Sequence, residues 1–493
     1  MKKTKPNVIL ITVDSLRADH LGCYGYSKPT SPNIDRLAEE SYLFTNAFSN
    51  GPNTPHAFPP IMASRYPLMS NRFGLFDAKV TMAELLKSMG YKTAGFVAAN
   101  CWVSRYFQYQ RGFDLFEDFI EFASFSKNNS KIVTALSENE LTLFQKSLDG
   151  MAKIAKGFIP AGTKVYQFLE HWKVFLKSHA TVHHSVTNKK KLLDEFYGRT
   201  SNWIDLHADP PFFLWLHIMD THYPYAPQRH IVGDFYDDNI DKYDAEKIAA
   251  HLRFKRRADP RIVQQGLILY DATIREMDFR VGAILSQLKS KNLYDNSIIV
   301  ITADHGEEFQ DHNGLLHKSK LYDELIHVPF LMKTPESNGP KKVHTLISHI
   351  GLVPTICRLL GIENNTEDMF GHAFTQVFHS NLIEQRNFVI SEASYDADGQ
   401  MPMDEKVFDL HSVPKVYSLR TQNWKLIRES RMGPTHLFDL QADPGEQNNL
   451  IKQRQTLAEK LDELLRMHME LEQSTILRNK IRVVKGDLMH VGP

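Results

Sequence analysis

The chain opens on a nearly continuous apolar, β-branched run from Asn7 to Val13 (NVILITV). A strand buried on both faces of a parallel sheet reads this way. Similar runs recur at Thr93–Ala98 (TAGFVA), Phe212–Ile218 (FFLWLHI) and Ser297–Thr302 (SIIVIT), and Pro329–Met332 is a further candidate. Between them lie stretches with helical spacing, at Met82–Met89 and around Ala272–Leu288. Strands alternating with helices predict an α/β fold with a mostly parallel central sheet flanked by helices. Ligands of such sheets bind outside the carboxyl ends of the strands. Asp14, His217 to Asp220, and Asp304-His305 fall at such ends, so the pattern alone predicts that they converge.

Three regions break the alternation. Residues 120–200 are Lys-rich, lack strand-like runs and carry apolar residues at helical spacing (KIVTALSENELTLFQKSL, KVYQFLEHWKVFLKS). They predict a helical insertion. A second basic, helical stretch spans Tyr236–Arg261. After residue 380, VYSLRTQNWKLIRES and THLFDLQADPGEQNNL predict a short antiparallel meander turning at Asp443-Pro444-Gly445. A helix follows over Gln455–Glu472, with Leu457, Leu461, Leu464, Leu465 and Met467 as its packing stripe. The expected organisation is a catalytic α/β domain over residues 1–380 and a small C-terminal α+β subdomain over 381–493.

Composition narrows the class. With 493 residues the chain exceeds one compact core. Lys+Arg and Asp+Glu are both 58, which argues against a nucleic-acid partner. Cys23, Cys101 and Cys357 are far apart and odd in number, which argues against a disulfide framework and a zinc-finger site. Val8–Val13 is too short for a signal-peptide core, and no run approaches the roughly 20 apolar residues of a membrane span. These features predict a cytoplasmic protein without a membrane span. Whether it forms a homo-oligomer stays open.

The chemistry concentrates in five places. Asp14 follows a buried strand, a good position for a hard metal ligand. Asp304-His305-Gly306 follows another, and adjacent Asp and His at a strand end can turn toward one ion while Gly306 lets the chain pass it closely. Thr54 lies in SNGPNTPHAFPPIMASRYP, where the prolines suggest a loop pinned to present one hydroxyl. His217, with Asp220-Thr221-His222, offers a general acid, a metal ligand or an anion contact. His312, His317 and Lys318 follow the Asp-His-Gly triplet, and a Lys beside a metal would contact the oxygens of a sulfuryl or phosphoryl group.

In this order the pieces resemble the sulfatase family of the alkaline-phosphatase-like superfamily. PNVILITVDSLRADHLGCYG, GYKTAGFVAAN, RGFDLFED, MDTHYPY, ITADHGEEF, HKSKLYDELIHVPFLM and LFDLQADPGEQNNL carry the resemblance, over most of the chain. It implies an alkaline-phosphatase/sulfatase-like fold. It also implies that Asp14, Asp304, His305 and Thr54 hold a divalent metal ion (Ca, Mg, Mn or Zn; one ion or two). Thr54 stands at the nucleophile position. His222 and Lys318 would contact the transferred group or the leaving oxygen, and His317 or His222 would protonate the leaving group.

The departures are as informative. Sulfatases proper carry Cys or Ser in a C/S-x-P-x-R pattern and convert it to formylglycine. Here the residues read Thr54-Pro55-His56-Ala57-Phe58, so formylglycine is not expected. Ser15 replaces the second member of the family's aspartate doublet, and Asn100-Cys101-Trp102 replaces its Lys-Trp-His segment. An unmodified Thr resembles the nucleophile of phosphodiesterases, phosphomutases and phosphoethanolamine transferases, and Pro59 five residues after Thr54 and His317 twelve residues after His305 resemble the transferase pattern. A phospho-Thr can be opened by water, whereas a sulfo-Thr lacks the second hydroxyl by which formylglycine expels sulfate. The expected function is a metal-dependent hydrolase of a sulfate ester, phosphate diester or phosphonate ester, borne on a small molecule, glycan or lipid. The alternatives are a phospho-group transferase and an inactive binding protein of the same fold.

Overall fold

A computed structural model of the chain describes residues 5–70, 72–120, 189–206, 208–233, 248, 252, 259–362, 369–379, 388–395 and 413–489, with side chains to residue 475. The central sheet has eight strands: β1 (Asn7–Val13), β2 (Tyr42–Phe44), β3 (Lys92–Val97), β4 (Leu115–Glu117), β5 (Phe212–Ile218), β6 (Ser297–Ala303), β7 (Phe330–Lys333) and β8 (Lys341–Val343). Their order is β8-β2-β7-β6-β1-β5-β3-β4. β1 pairs in parallel with both β5 and β6, and only β7 runs against its neighbours. Every residue of β1, β5 and β6 is buried. These are the strands whose apolar runs were unbroken, because a central strand covered on both faces has no polar side to show.

Helices flank the sheet. The stretch expected around Ala272–Leu288 is part of a longer helix, Pro260–Ser290. Its start is set by Asp259, whose carboxylate accepts from Arg261 N at 2.8 Å, with Pro260 in the first turn. Thr54 stands in a helix, not in the pinned loop expected from its prolines: α1 spans Thr54–Ala63 and contains Pro59 and Pro60. Pro55 costs nothing in a first turn, where no intrahelical N–H bond is due. All ten residues of α1 are buried, so tertiary packing overrides the helix-breaking tendency of Pro59 and Pro60.

The predicted meander is present as β9 (Phe388–Ser394), β10 (Lys415–Thr421), β11 (Trp424–Glu429) and β12 (Gly433–Asp439), each antiparallel to the next. Its alternation sorts two faces. Tyr417, Leu419, Leu426 and Leu437 pack with Leu461 and Leu465 of the terminal helix Gln455–Met489. Val416, Ile427 and Phe438 pack with Phe48, Leu321, Leu325 and Ile326 of the main body. Met467, assigned from sequence to the helix's packing stripe, is 61% exposed. It lies two residues from Leu465, well round the helix from the buried line Leu461, Leu465, His468.

Residues 189–206 are helical. The rest of the expected insertion (121–188), most of Tyr236–Arg261 and the 380/381 boundary lie outside the described residues. Among the described residues no helix is long and apolar enough to cross a membrane.

One buried histidine sets a pH limit on this core. His349 is fully buried, with Nε2 2.9 Å from Thr302 Oγ1 of β6. Burial pulls its pKa down to about 3. The unfolded chain takes up a proton near pH 6.5 that the fold refuses, so this contribution is complete above that pH and falls away as pH drops toward 3. His349→Gln is expected to flatten the pH dependence of unfolding between pH 6.5 and 5 by about 1.5 kcal/mol. Denaturant titrations of both proteins across that range check it; parallel curves would refute it.

Candidate active site

The carboxyl ends of β1, β5 and β6 bring together residues far apart in sequence. Past β1, Asp14 is fully buried, and the chain turns through Ser15 in the left-handed region (φ 57°). That turn lets Ser15 N donate to Asp304 Oδ1 (3.2 Å) and Ser15 Oγ to Asp14 Oδ1 (2.7 Å). Tyr270, on the long helix, holds the turn from outside: its hydroxyl donates to Ser15 O at 2.7 Å and accepts from Arg17 N at 2.9 Å. Past β6, Asp304 and His305 are both fully buried, with His305 Nε2 3.4 Å from Asp304 Oδ2 and 3.9 Å from Asp14 Oδ1. At Gly306 the space is closed by neighbouring backbone: a Cβ there would sit 2.0 Å from Glu324 O, which leaves no room for a side chain.

Thr54, the first residue of α1, places its hydroxyl 3.3 Å from Asp14 Oδ2 and 3.4 Å from His305 Nε2. His56, at the third position of the motif, ties this turn down. Its Nε2 accepts from Ser394 N of β9 at 3.0 Å, so its Nδ1 carries the proton and donates to Asn53 Oδ1 at 2.5 Å. Phe58, where the formylglycine motif has Arg, packs edge-on against His217 with ring centroids 4.7 Å apart.

His217 belongs to the same cluster. Its Nδ1 lies 3.1 Å from Thr12 Oγ1, and its Nε2 is 3.5 Å from Asp14 Oδ2. Asp14, His217 and Asp304 offer ligand atoms within 4.8 Å of one another. Asn100, beyond β3, was recognised from sequence only as a replacement. Here its Oδ1 accepts from Trp102 N (3.0 Å), which aims its amide nitrogen at Asp14 Oδ2 (2.9 Å), His217 Nε2 (3.3 Å) and Thr54 Oγ1 (3.4 Å). The signal for His217 and Asn100 was position, since both lie at or just past a strand's carboxyl end.

His222 and His317 form the rim, with ring centroids 5.2 Å apart, and His317 lies 4.5 Å from the His305 ring. Glu307 reaches His317 Nδ1 at 2.9 Å and is itself held by the Tyr225 hydroxyl at 2.7 Å. Lys318 follows on an exposed position, and among the described residues no side-chain hydrogen bond or ion pair holds it. His312 stands apart. It stacks on Tyr322 (3.6 Å between centroids), with Nδ1 2.7 Å from Glu324 Oε1 and Nε2 3.1 Å from Glu446 O, so it docks the C-terminal segment.

The electrostatics suit a cation. Burial pushes Asp14 up, but His222, His217 and His305 outweigh it and hold that carboxyl well below its usual range. Asp304 goes the other way, raised to about 8 by burial and by the Asp14 charge. Asp304 Oδ2 is buried without a hydrogen-bond partner. Two buried carboxyls, an orphaned oxygen and convergent imidazoles are the donor set of a divalent ion. Burial pulls His305 and His222 down to about 4, leaving them neutral, the form in which imidazole ligates. His317 is raised to about 9: burial opposes its charge, but the Glu307 carboxylate prevails.

Comparison with known proteins follows the same lines. The sulfatase family model matches residues 6–362, and that of the N-sulphoglucosamine sulphohydrolase C-terminal region matches residues 311–474. An N-acetylgalactosamine-6-O-sulfatase of Bacteroides thetaiotaomicron is 24% identical, covering 94% of this chain and 92% of its own. The phosphonate monoester hydrolase of Silicibacter pomeroyi superposes with a TM-score of 0.62 at 18% identity, over 96% of both chains. A protein solved with its substrate D-glucosamine-2-N,6-O-disulfate gives 0.64 at 18% identity, over 96% of this chain and 99% of its own. At these identities the structural likeness is one of fold.

Proposed function

The chain belongs to the sulfatase family of ester-hydrolysing enzymes, and from that premise we propose that it is a metal-dependent hydrolase using an unmodified Thr54 as nucleophile. Its substrate would be a sulfate ester, phosphate diester or phosphonate ester, on a small molecule or as part of a glycan or lipid. One observation carries the reading: the Thr54 hydroxyl lies 3.3 Å from Asp14 Oδ2, within the cluster that includes the orphaned Asp304 oxygen.

Asp14, Asp304 and His305, with His217, would hold the divalent ion. When bound, that ion supplies positive charge that lowers the hydroxyl's pKa and neutralises the transferred group. Thr54 Oγ, its proton released to solvent, attacks sulfur or phosphorus in line. The Thr–O bond to that atom forms as the bond to the leaving oxygen breaks, and the leaving oxygen takes a proton from His317 Nε2. The Glu307 contact favours the charged form of His317, which suits it as this acid. The amide nitrogen of Asn100 steadies a non-bridging oxygen, with His222 and Lys318 at the rim. Water, giving one proton to the now neutral His317 Nε2, then attacks the same central atom; the bond to Thr54 Oγ breaks and that oxygen takes up a proton from solvent.

A panel of nitrophenyl sulfate, phosphodiester, phosphonate and phosphomonoester, screened across Mn, Mg, Ca and Zn, tests this. Turnover of at least one of the first three is expected, and it should be abolished by chelation and restored by metal. A protein that hydrolyses none of them with any metal would refute it. Products that grow with added alcohol acceptors would instead mark a transferase.

A further inference from the structure

Beyond the reacting groups, the most sharply defined arrangement is the environment of Lys189. Its Nζ donates to three backbone carbonyls, those of Asp220 (2.7 Å), His222 and Pro224 (3.0 Å). An ammonium has three N–H donors, and three acceptors meet them. The carbonyls belong to the loop that follows β5 and carries His222. Lys189 lies on the separate helical segment 189–206.

Converging carbonyl oxygens are the coordination given to a bare monovalent cation. Aimed at one point with nothing positive between them they repel, so this loop conformation needs a charge there. Burial pulls Lys189 down to about 8, which leaves it charged at neutral pH. The loop is also fastened to the candidate site, since Thr221 Oγ1 donates to Asp14 O at 2.5 Å. Its Asp220 carboxylate is engaged elsewhere, by Arg280 Nη1 (2.8 Å) and the Tyr197 hydroxyl (3.0 Å). These two hold the loop's side chain; the backbone at His222 and Pro224 is gathered by Lys189.

We infer that Lys189 is a positioning residue: a tethered cation that folds the Asp220–Pro224 loop around itself and sets His222 against the candidate site. The clamp stands on its own geometry. Only its consequence for turnover rests on the hydrolase reading.

The test uses the full chain. In Lys189→Ala, amide hydrogen exchange in peptides spanning residues 218–226 should accelerate by about tenfold or more. Ammonium or methylammonium chloride should restore protection saturably, while tetramethylammonium chloride at equal ionic strength should not, being too large to sit among the carbonyls. If the panel above yields a substrate, the same variant should lose kcat with KM little changed, and the small cations should restore it. Lys189→Gln, which keeps much of the stem and two N–H donors without the charge, carries the same readouts should the alanine variant fail to fold. Unchanged exchange, or faster exchange that no small cation reverses, overturns the clamp. Absence of turnover in the parent protein overturns the hydrolase reading and leaves the exchange result to decide the clamp.

Discussion

Thr54→Ala is expected to lower kcat/KM by at least about 100-fold on whichever ester the protein turns over. The residue is 4% exposed, and its hydroxyl has Asp14, His305 and Asn100 as polar neighbours. No other hydroxyl stands so placed among the described residues. Ser15 Oγ, the nearest competitor, is bonded to Asp14 Oδ1 at 2.7 Å. Removing one γ-oxygen from the first turn of α1 leaves the fold intact, because His56 and the buried face of α1 hold that helix. Thr54→Ser should therefore keep part of the activity that Thr54→Ala loses. Mass spectrometry of the quenched reaction should find the added sulfuryl or phosphoryl group on the peptide containing Thr54. Near-parental activity in the alanine variant would end the nucleophile assignment.

Asp304→Asn is expected to weaken divalent-ion binding by about 100-fold or more and to lower turnover in parallel. Its stability signature runs the other way. Without metal, burial and the Asp14 charge raise Asp304 to about 8, far above a carboxyl in the unfolded chain. The fold then keeps a proton that the unfolded chain releases, so stability is lost as pH rises from about 4 toward 8. An amide has no such proton. Metal-free Asp304→Asn should thus melt higher than the metal-free parent at neutral pH, and only the parent should gain Tm when ions are added. Calorimetric titration and melting curves, each with and without chelator, check both halves. An asparagine variant that binds metal as tightly as the parent would remove Asp304 from the ligand set.

The sheet was legible because the signal for a central strand is local. NVILITV, FFLWLHI and SIIVITA are buried along their whole length and bounded where the apolar run stops. The meander was legible for a related reason: period-two alternation reports two buried faces. α1 was not, since prolines at 55, 59 and 60 argue locally for a loop and only complete burial makes the helix worthwhile. Met467 was misplaced for want of phase: a Leu/Met-rich stretch announces an amphipathic helix, but the neighbouring sheet decides which line it covers.

What the sequence determined by itself is the class of fold, the family resemblance and the strand ends at which Asp14, His217 and Asp304-His305 gather, because all of these follow from short-range pattern. Only the tertiary structure decided which polar groups meet. It put His217 and Asn100 beside Asp14, sent His312 to the C-terminal segment, and brought Ser394 of β9 to the turn that presents Thr54. Contacts between residues tens to hundreds of positions apart depend on sheet order and register, and a side chain at a strand end has no local feature that names its partner.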